Sequence, residues 1–303
     1  MPRLIIVYNP RSSKHALVEK EVLEPARQMK GWMVGKYEVK PTDVDDNAAK
    51  LAQILKDGDL VVTAGGDGTA TIGLNGAILS GKKIEIGVLG YGNFNDMARI
   101  GKCRTLEEII EGRVQKIYPL EVLVDGRRWR YAACYVTCGL FAESTKIFDQ
   151  EKTREKLRKK QGGLIFSVWS LAKWYFGNKR RSFLPKLSLN GVEVAKKTTD
   201  LIFVNSATMA RLMKNRALVF EEKRFLQTTK RLGSLRRLIG FMMRGMLRLT
   251  GEEVERSEVE LPSPGEIELQ AEGEYKRIKV EKSVVVRKSE HPVLIRVKFK
   301  EKK

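Results

Sequence analysis

The stretch that most narrows the possible folds is Leu60-Val61-Val62-Thr63, running through Ala64 into Gly65-Gly66-Asp67-Gly68-Thr69. The first four residues favour a buried strand, and Thr69 to Leu79 reads as a helix. Strand, glycine-rich turn and helix start make the βα corner of an α/β domain. A plain turn needs one or two glycines, and this one has three. At such a corner, backbone N–H groups and the helix N-terminus can hold an anion, provided no Cβ atom keeps it away. A carboxylate inside an anion cradle is repulsive by itself. Asp67 makes sense beside a divalent cation, or as the organiser of the loop and of a reacting hydroxyl. Thr69 can donate to a phosphate oxygen.

The flanking chain keeps the α/β rhythm. Leu4–Tyr8 reads as a strand, Asn9–Ser13 as a loop, and the following residues to about Lys30 as a helix. Trp32–Val39 is a second strand, and Thr42-Asp43 can cap a helix running to Lys56. Ile84–Leu89 is a further strand, followed by a second glycine-containing loop from Gly90 to Arg99 and a short helix at Thr105–Glu111. After about Val114 the texture changes to short strands separated by turn residues, interrupted by helical insertions at Lys152–Phe176 and Ser234–Leu249. The expected fold is therefore a Rossmann-like α/β N-terminal domain over 1–113 and a mainly antiparallel β-sandwich domain over 114–303. The last strand is expected to return to the first domain.

Charge adds a partner class. The net charge is +20, and Glu151–Thr250 carries 24 lysines and arginines against 6 acids. A localised excess of this kind points to a polyanion, meaning a membrane surface, nucleic acid or nucleotide. Lys152–Lys160 is densely basic, the apolar and aromatic Leu164–Phe176 follows, and Lys179-Arg180-Arg181 closes it. The apolar part is too short to span a bilayer and suits an interfacial element. Arg231–Leu249 repeats the theme, with Arg236, Arg237, Arg244 and Arg248 among Phe241, Met242, Met243, Met246 and Leu247. No RNA-recognition, zinc-finger or basic-zipper pattern is present, which argues against nucleic acid.

Three cysteines make no even framework and no CxxC pair, so reduced thiols are expected. Two histidines exclude a multi-histidine metal site and leave a carboxylate as the expected general base. The apolar run at the N-terminus is too short for a signal-peptide core, so a cytoplasmic location is expected.

The glycine corner is neither a Walker A loop nor part of a protein-kinase set. GGDGT after a strand is similar to the phosphate loop shared by lipid kinases of the diacylglycerol kinase catalytic family, NAD kinases and phosphofructokinases. Asn9-Pro10-Arg11-Ser12-Ser13 resembles the NPxSG motif of the lipid kinases, and Asn75-Gly76 matches the NG after their GGDGT helix. Gly90–Arg99 resembles a divergent GTGNDxAR loop, and Glu272-Gly273-Glu274 stands where that family has DGE. The four motifs occur in order over almost the whole chain.

The resemblance implies transfer of the γ-phosphoryl group of ATP to a lipid hydroxyl, with Mg²⁺, at the cytoplasmic membrane surface. It implies nucleotide contacts from Asn9, Ser12, Gly65, Gly66, Gly68, Thr69, Gly92 and Asn93. It also places Asp67 by Mg²⁺ or the reacting hydroxyl and makes Glu274 the general base. The partners expected are a lipid substrate and an anionic membrane met by 152–181 and 231–249, with homodimerisation open. Several positions depart from the family pattern. Tyr91 stands where the family has Thr, Thr71 and Ile72 where it often has Asn and Glu, and Glu272 where it has Asp. The family's acidic turn is matched only by Phe220–Phe225, which puts a metal there in doubt. A kinase of a soluble substrate such as NAD, and a nucleotide- and membrane-binding protein that has lost catalysis, stay open as alternatives.

Overall fold

The computed structural model describes residues 1–92, 94–139, 141–143, 185–195, 197–209, 213–214, 224–230, 237, 240, 243–244, 249–261 and 263–299. The chain divides into two compact units. The first comprises Met1–Pro119, Arg130–Cys134 and Ser289–Lys303, and the second Leu120–Trp129 and Tyr135–Lys288.

The first unit is α/β. Its elements begin with β1 (Arg3–Tyr8), then α1 (His15–Val18), a π turn (Glu19–Leu23) and α2 (Glu24–Arg27). β2 (Met33–Glu38), α3 (Val44–Ile54), β3 (Leu60–Gly65), α4 (Asp67–Leu79) and β4 (Glu85–Gly90) follow. α5 (Ala98–Gly101), α6 (Leu106–Ile110) and β5 (Arg113–Ile117) complete the first segment. The sheet order is β2-β1-β3-β4, then the last strand Val293–Val297, then β5. The first four strands are parallel, the last strand lies parallel to β4, and β5 is antiparallel to the last strand.

Local chemistry accounts for most of these elements. β3 is buried along its whole length, as a strand covered on both faces must be. Leu4, Ile6, Leu60 and Val62 meet Val22, Leu23, Leu106 and Ile109 in one core cluster. The sequence predicts a single helix from the first loop to Lys30. The structure breaks it with the π turn just before Pro25, which has no N–H to continue the ladder. Asp43 caps α3 by accepting the Asp46 N–H at 2.8 Å. α4 has no polar face, because it is buried on nearly every side. A Cβ at Gly73 would run into the Thr63 side chain, and one at Gly76 would stand 2.8 Å from Leu51 Cδ2. The two glycines thus let α4 lie close on β3 and α3. β5 opens the second domain on sequence texture, yet it belongs to the first sheet, because its partner is the last strand.

The second unit is built on antiparallel strands, as its turn-punctuated sequence predicts. One six-stranded sheet runs Glu252–Val254, Phe225–Lys230, Asp200–Val204, Tyr135–Gly139, Gly265–Ala271, Glu274–Val280. The other runs Val192–Ala195, Lys186–Leu189, Arg256–Glu260, Ser283–Lys288, Leu120–Val124, Arg127–Ala132. The expected helix at 152–176 and the basic element at 152–181 lie outside the described residues. Of 231–249, only Arg237, Gly240, Met243, Arg244 and Leu249 are described, the first four of them helical. No helix among the described residues is long and apolar enough to cross a membrane.

Candidate active site

In the order β2-β1-β3-β4 the chain reverses its direction of travel between β1 and β3. Open α/β sheets bind ligands at the carboxyl ends of strands beside such a reversal. Tyr8 pairs with Ala64, and Gly65 pairs with Gly90. The loops after β1, β3 and β4 therefore leave the sheet side by side, and they carry most of the residues singled out above.

The β1 loop is braced by its own polar side chains. Asn9 Oδ1 accepts the Arg11 N–H at 3.0 Å, and Asn9 O accepts the Ser12 N–H at 3.1 Å. Ser12 Oγ accepts the Lys14 N–H at 3.3 Å. Tyr8, just before the loop, stacks on His15 with 5.7 Å between ring centroids. Its hydroxyl donates to Glu38 Oε1 at 2.8 Å. Burial, aided by that acceptor and its charge, pushes the Tyr8 hydroxyl pKa up to about 12.

The β3 loop is locked to the β4 loop. Asp67 accepts the Asn95 N–H at 3.1 Å through Oδ2 and the Asp96 N–H at 2.9 Å through Oδ1. Tyr91 N–H donates to Gly65 O at 2.8 Å. A Cβ on Gly92 would stand 2.6 Å from Gly66 Cα, and one on Gly65 would stand 2.5 Å from Thr69 Oγ1. Gly92 is thus required by loop-to-loop contact and Gly65 by the Thr69 side chain of its own loop, reasons the sequence alone does not give. Burial raises the Asp67 carboxyl pKa, and backbone N–H donors with the Arg99 charge only partly oppose this. Ala70 N–H donates to Gly66 O, which leaves Gly68 and Thr69 in the first turn at the open end of α4.

The β4 loop is held from several sides. Asn95 adopts a left-handed conformation (φ 54°). Its Oδ1 accepts the Gly92 N–H at 2.7 Å, and its Nδ2 donates to Gly92 O at 2.9 Å. Arg99 Nη2 donates to Phe94 O at 3.0 Å. Tyr91 turns toward the π turn, where its hydroxyl donates to Glu21 Oε2 at 3.0 Å. Asn93 lies outside the described residues. Beside this loop is a cleft of about 620 Å³ whose walls include Lys14, Glu21, Tyr91, Arg99 and Lys102.

Residues 3–122 match the family model of the diacylglycerol kinase catalytic domain. Over that span the chain is similar to the diacylglycerol kinase catalytic domain. Three solved structures from Bacillus anthracis strain Sterne share its fold. One is a diacylglycerol kinase at 13% identity and a TM-score of 0.68, with 94% of each chain covered. Two others carry that activity as a provisional assignment. The first has 12% identity, a TM-score of 0.72 and 97% of each chain covered. The second has 13% identity, a TM-score of 0.70, and 97% of this chain and 96% of that one covered. No curated protein matched the chain.

The diacylglycerol kinase-like motifs distribute over both units. Glu274 belongs to the second, where Ala271 pairs with Glu274 across a two-residue turn. Glu272 (φ 53°) and Gly273 (φ 86°) are both left-handed, as a type I′ hairpin requires. Glu272 is buried, and its N–H donates to Tyr135 O at 3.3 Å. Ile72 and Thr71, the departures from the family pattern on α4, have local roles. Ile72 is a core residue, and the Thr71 hydroxyl donates to Asp67 O at 2.9 Å.

Some connections carry no signal in the sequence. Asn75, half of the NG motif, grips a chain segment 56 residues away. Its Nδ2 donates to Tyr131 O at 3.0 Å, and its Oδ1 accepts the Tyr131 N–H at 2.9 Å. Arg130 beside it makes a two-pronged ion pair with Asp45, both contacts at 2.9 Å. These bonds fasten Arg130–Cys134 to the α3 and α4 side of the first unit.

Proposed function

We propose that the chain is an ATP- and Mg²⁺-dependent lipid kinase that transfers the γ-phosphoryl group to a lipid hydroxyl at the cytoplasmic membrane surface. The observation that carries this reading is the interlock of the β3 and β4 loops through Asp67, beside the β1 loop, in a chain whose residues 3–122 match the family model of the diacylglycerol kinase catalytic domain. Phosphoryl transfer depends on positioning and charge stabilisation, and a pre-braced set of loops supplies positioning.

In this reading Asn9, Ser12, Gly65, Gly66 and Gly92 shape the nucleotide site. Gly68 and Thr69, at the open end of α4, offer backbone N–H groups to phosphate oxygens. Glu274 takes the proton from the acceptor hydroxyl. Mg²⁺ keeps most of its waters and prefers one or two carboxylates together with substrate phosphates. Asp67 fits that limited demand, since each of its oxygens has a further lone pair beyond the backbone N–H it accepts. Among the described residues no group of three or more His, Cys, Asp or Glu side chains could hold a metal. The bases of 152–181 and 231–249 draw the protein to an anionic leaflet, each contributing about 1 kcal/mol near the surface.

The test is incubation of the protein with γ-labelled ATP, Mg²⁺ and total membrane lipid, followed by organic extraction. Label in the extract, lost on omission of lipid, is the expected result. Label on NAD with none on lipid would replace this reading by the soluble-substrate one.

A further inference from the structure

The cleft beside the β4 loop has an unusual combination of walls. Tyr91 and Leu17 give it apolar surface, and Leu17 is 42% exposed although it is a leucine. Lys14, Arg99, Lys102 and Arg104 give it positive charge, against one carboxylate, Glu21. Arg99 Nε is buried and has no hydrogen-bond partner among the described residues. Such a donor is costly to leave unsatisfied. At about 620 Å³ the space suits a ligand of mononucleotide size.

Tyr91 is held more firmly than a surface tyrosine. Its backbone N–H is fixed to Gly65 O, and its hydroxyl to Glu21 Oε2. Its ring also packs against the core cluster that contains Leu23 and Cys103. The π turn Glu19–Leu23 bears Glu21, and such turns re-aim side chains within a helix, often at functional sites. Tethered at both ends and backed by the core, the ring is a preorganised flat apolar surface facing a cationic wall.

We infer that Tyr91, in the cleft lined by Lys14, Arg99, Lys102 and Arg104, is the platform on which the nucleobase of the phosphoryl donor stacks. This rests on the kinase reading and deepens it, because it assigns donor recognition to a residue at which the chain departs from the family motif. Aromatic stacking tolerates any base, since every base has a π-face. Tyr91 therefore selects for the presence of a base.

Calorimetric titration of the full chain with the non-hydrolysable β,γ-imido analogue of ATP and Mg²⁺ tests this, with inorganic tripolyphosphate as the base-free probe. Tyr91→Thr should weaken analogue binding about tenfold and leave tripolyphosphate affinity unchanged. Tyr91→Phe keeps the ring and should stay within about threefold of wild type. Tyr91→Leu keeps apolar bulk against the core without a π-face, and should show the same selective loss of analogue binding, which carries the test if the threonine variant fails to fold. Analogue binding unchanged in Tyr91→Thr or Tyr91→Leu, or tripolyphosphate affinity falling in parallel, would overturn the inference while lipid labelling still supports the kinase reading. Loss confined to the analogue in a protein that labels no lipid would uphold the stacking site and sink the kinase reading. Wild type that binds no analogue would overturn both.

Discussion

Replacing Asp67 by Asn separates its role as a loop brace from any role in ionised chemistry. The carboxylate accepts two backbone N–H groups, from Asn95 and Asp96. An amide keeps one acceptor oxygen and turns an N–H₂ group toward the other donor. One charge-assisted hydrogen bond is lost, worth about 1.5–3 kcal/mol. Burial has already raised the Asp67 carboxyl pKa, so the charge is disfavoured at this position despite its donors. Removing the charge recovers part of the loss, and global stability should move by only about 1 kcal/mol. The local effect is not offset. Opening of the β4 loop becomes easier by about 1.5–3 kcal/mol, which is roughly a 10- to 150-fold rise in amide exchange at Asn95 or Asp96. Hydrogen exchange read by NMR, alongside urea unfolding of the same samples, measures both quantities. Unchanged exchange at both amides would refute the bracing role. A collapse of global stability would refute the compensation argument.

Three further outcomes follow from the geometry. Gly92→Ala should destabilise by about 1–3 kcal/mol, because its Cβ meets backbone at 2.6 Å, whereas Gly66→Ala meets Gly92 Cα at 3.4 Å and should cost less; thermal melts in the reverse order would contradict the packing. Asn75→Ala strands both backbone groups of Tyr131 and should cost about 2–5 kcal/mol in denaturant unfolding, and a change near zero would mean that water replaces the pair. Asp200 is fully buried, with its pKa pushed up to about 7, and accepts the Phe141 N–H at 2.6 Å and the Thr199 hydroxyl at 2.7 Å. A carboxyl whose folded pKa is raised contributes stability below its unfolded value that is lost as pH rises to the folded one. From about pH 4 to 7 this loss amounts to about 4 kcal/mol, so Asp200→Asn should flatten the decline in urea midpoint across that range; parallel curves would show that Asp200 does not titrate there.

What could be read from the sequence depended on the range over which each signal acts. Leu4–Tyr8 and Leu60–Thr63 are short apolar runs whose burial follows from their composition. Asp43 caps α3 from three residues away, and the Glu272-Gly273 pair makes its own hairpin. The glycines of the β3 loop were legible as an anomaly, but their cause was not. Gly66 stands where it crowds Gly92 of the β4 loop, 26 positions on, and Asp67 bonds to residues 28 and 29 positions on. Tyr91 shows in the sequence only as a departure from the family motif, because its partner Glu21 lies 70 residues earlier on a π turn that no periodicity announces. β5 was read into the wrong domain for the same reason. An edge strand takes its place from its partner, and that partner is the last strand of the chain.

The central claim is that the two loops serve phosphoryl transfer to a lipid, with Glu274 as the base. Initial rates of labelled-lipid formation from γ-labelled ATP, compared between wild type and Glu274→Gln at equal folded concentration, test it most directly. The account predicts labelled lipid from wild type and a rate roughly 10²- to 10⁴-fold lower from Glu274→Gln, the usual contribution of a general base. Equal rates from the two proteins, or no labelled lipid from wild type, would contradict it.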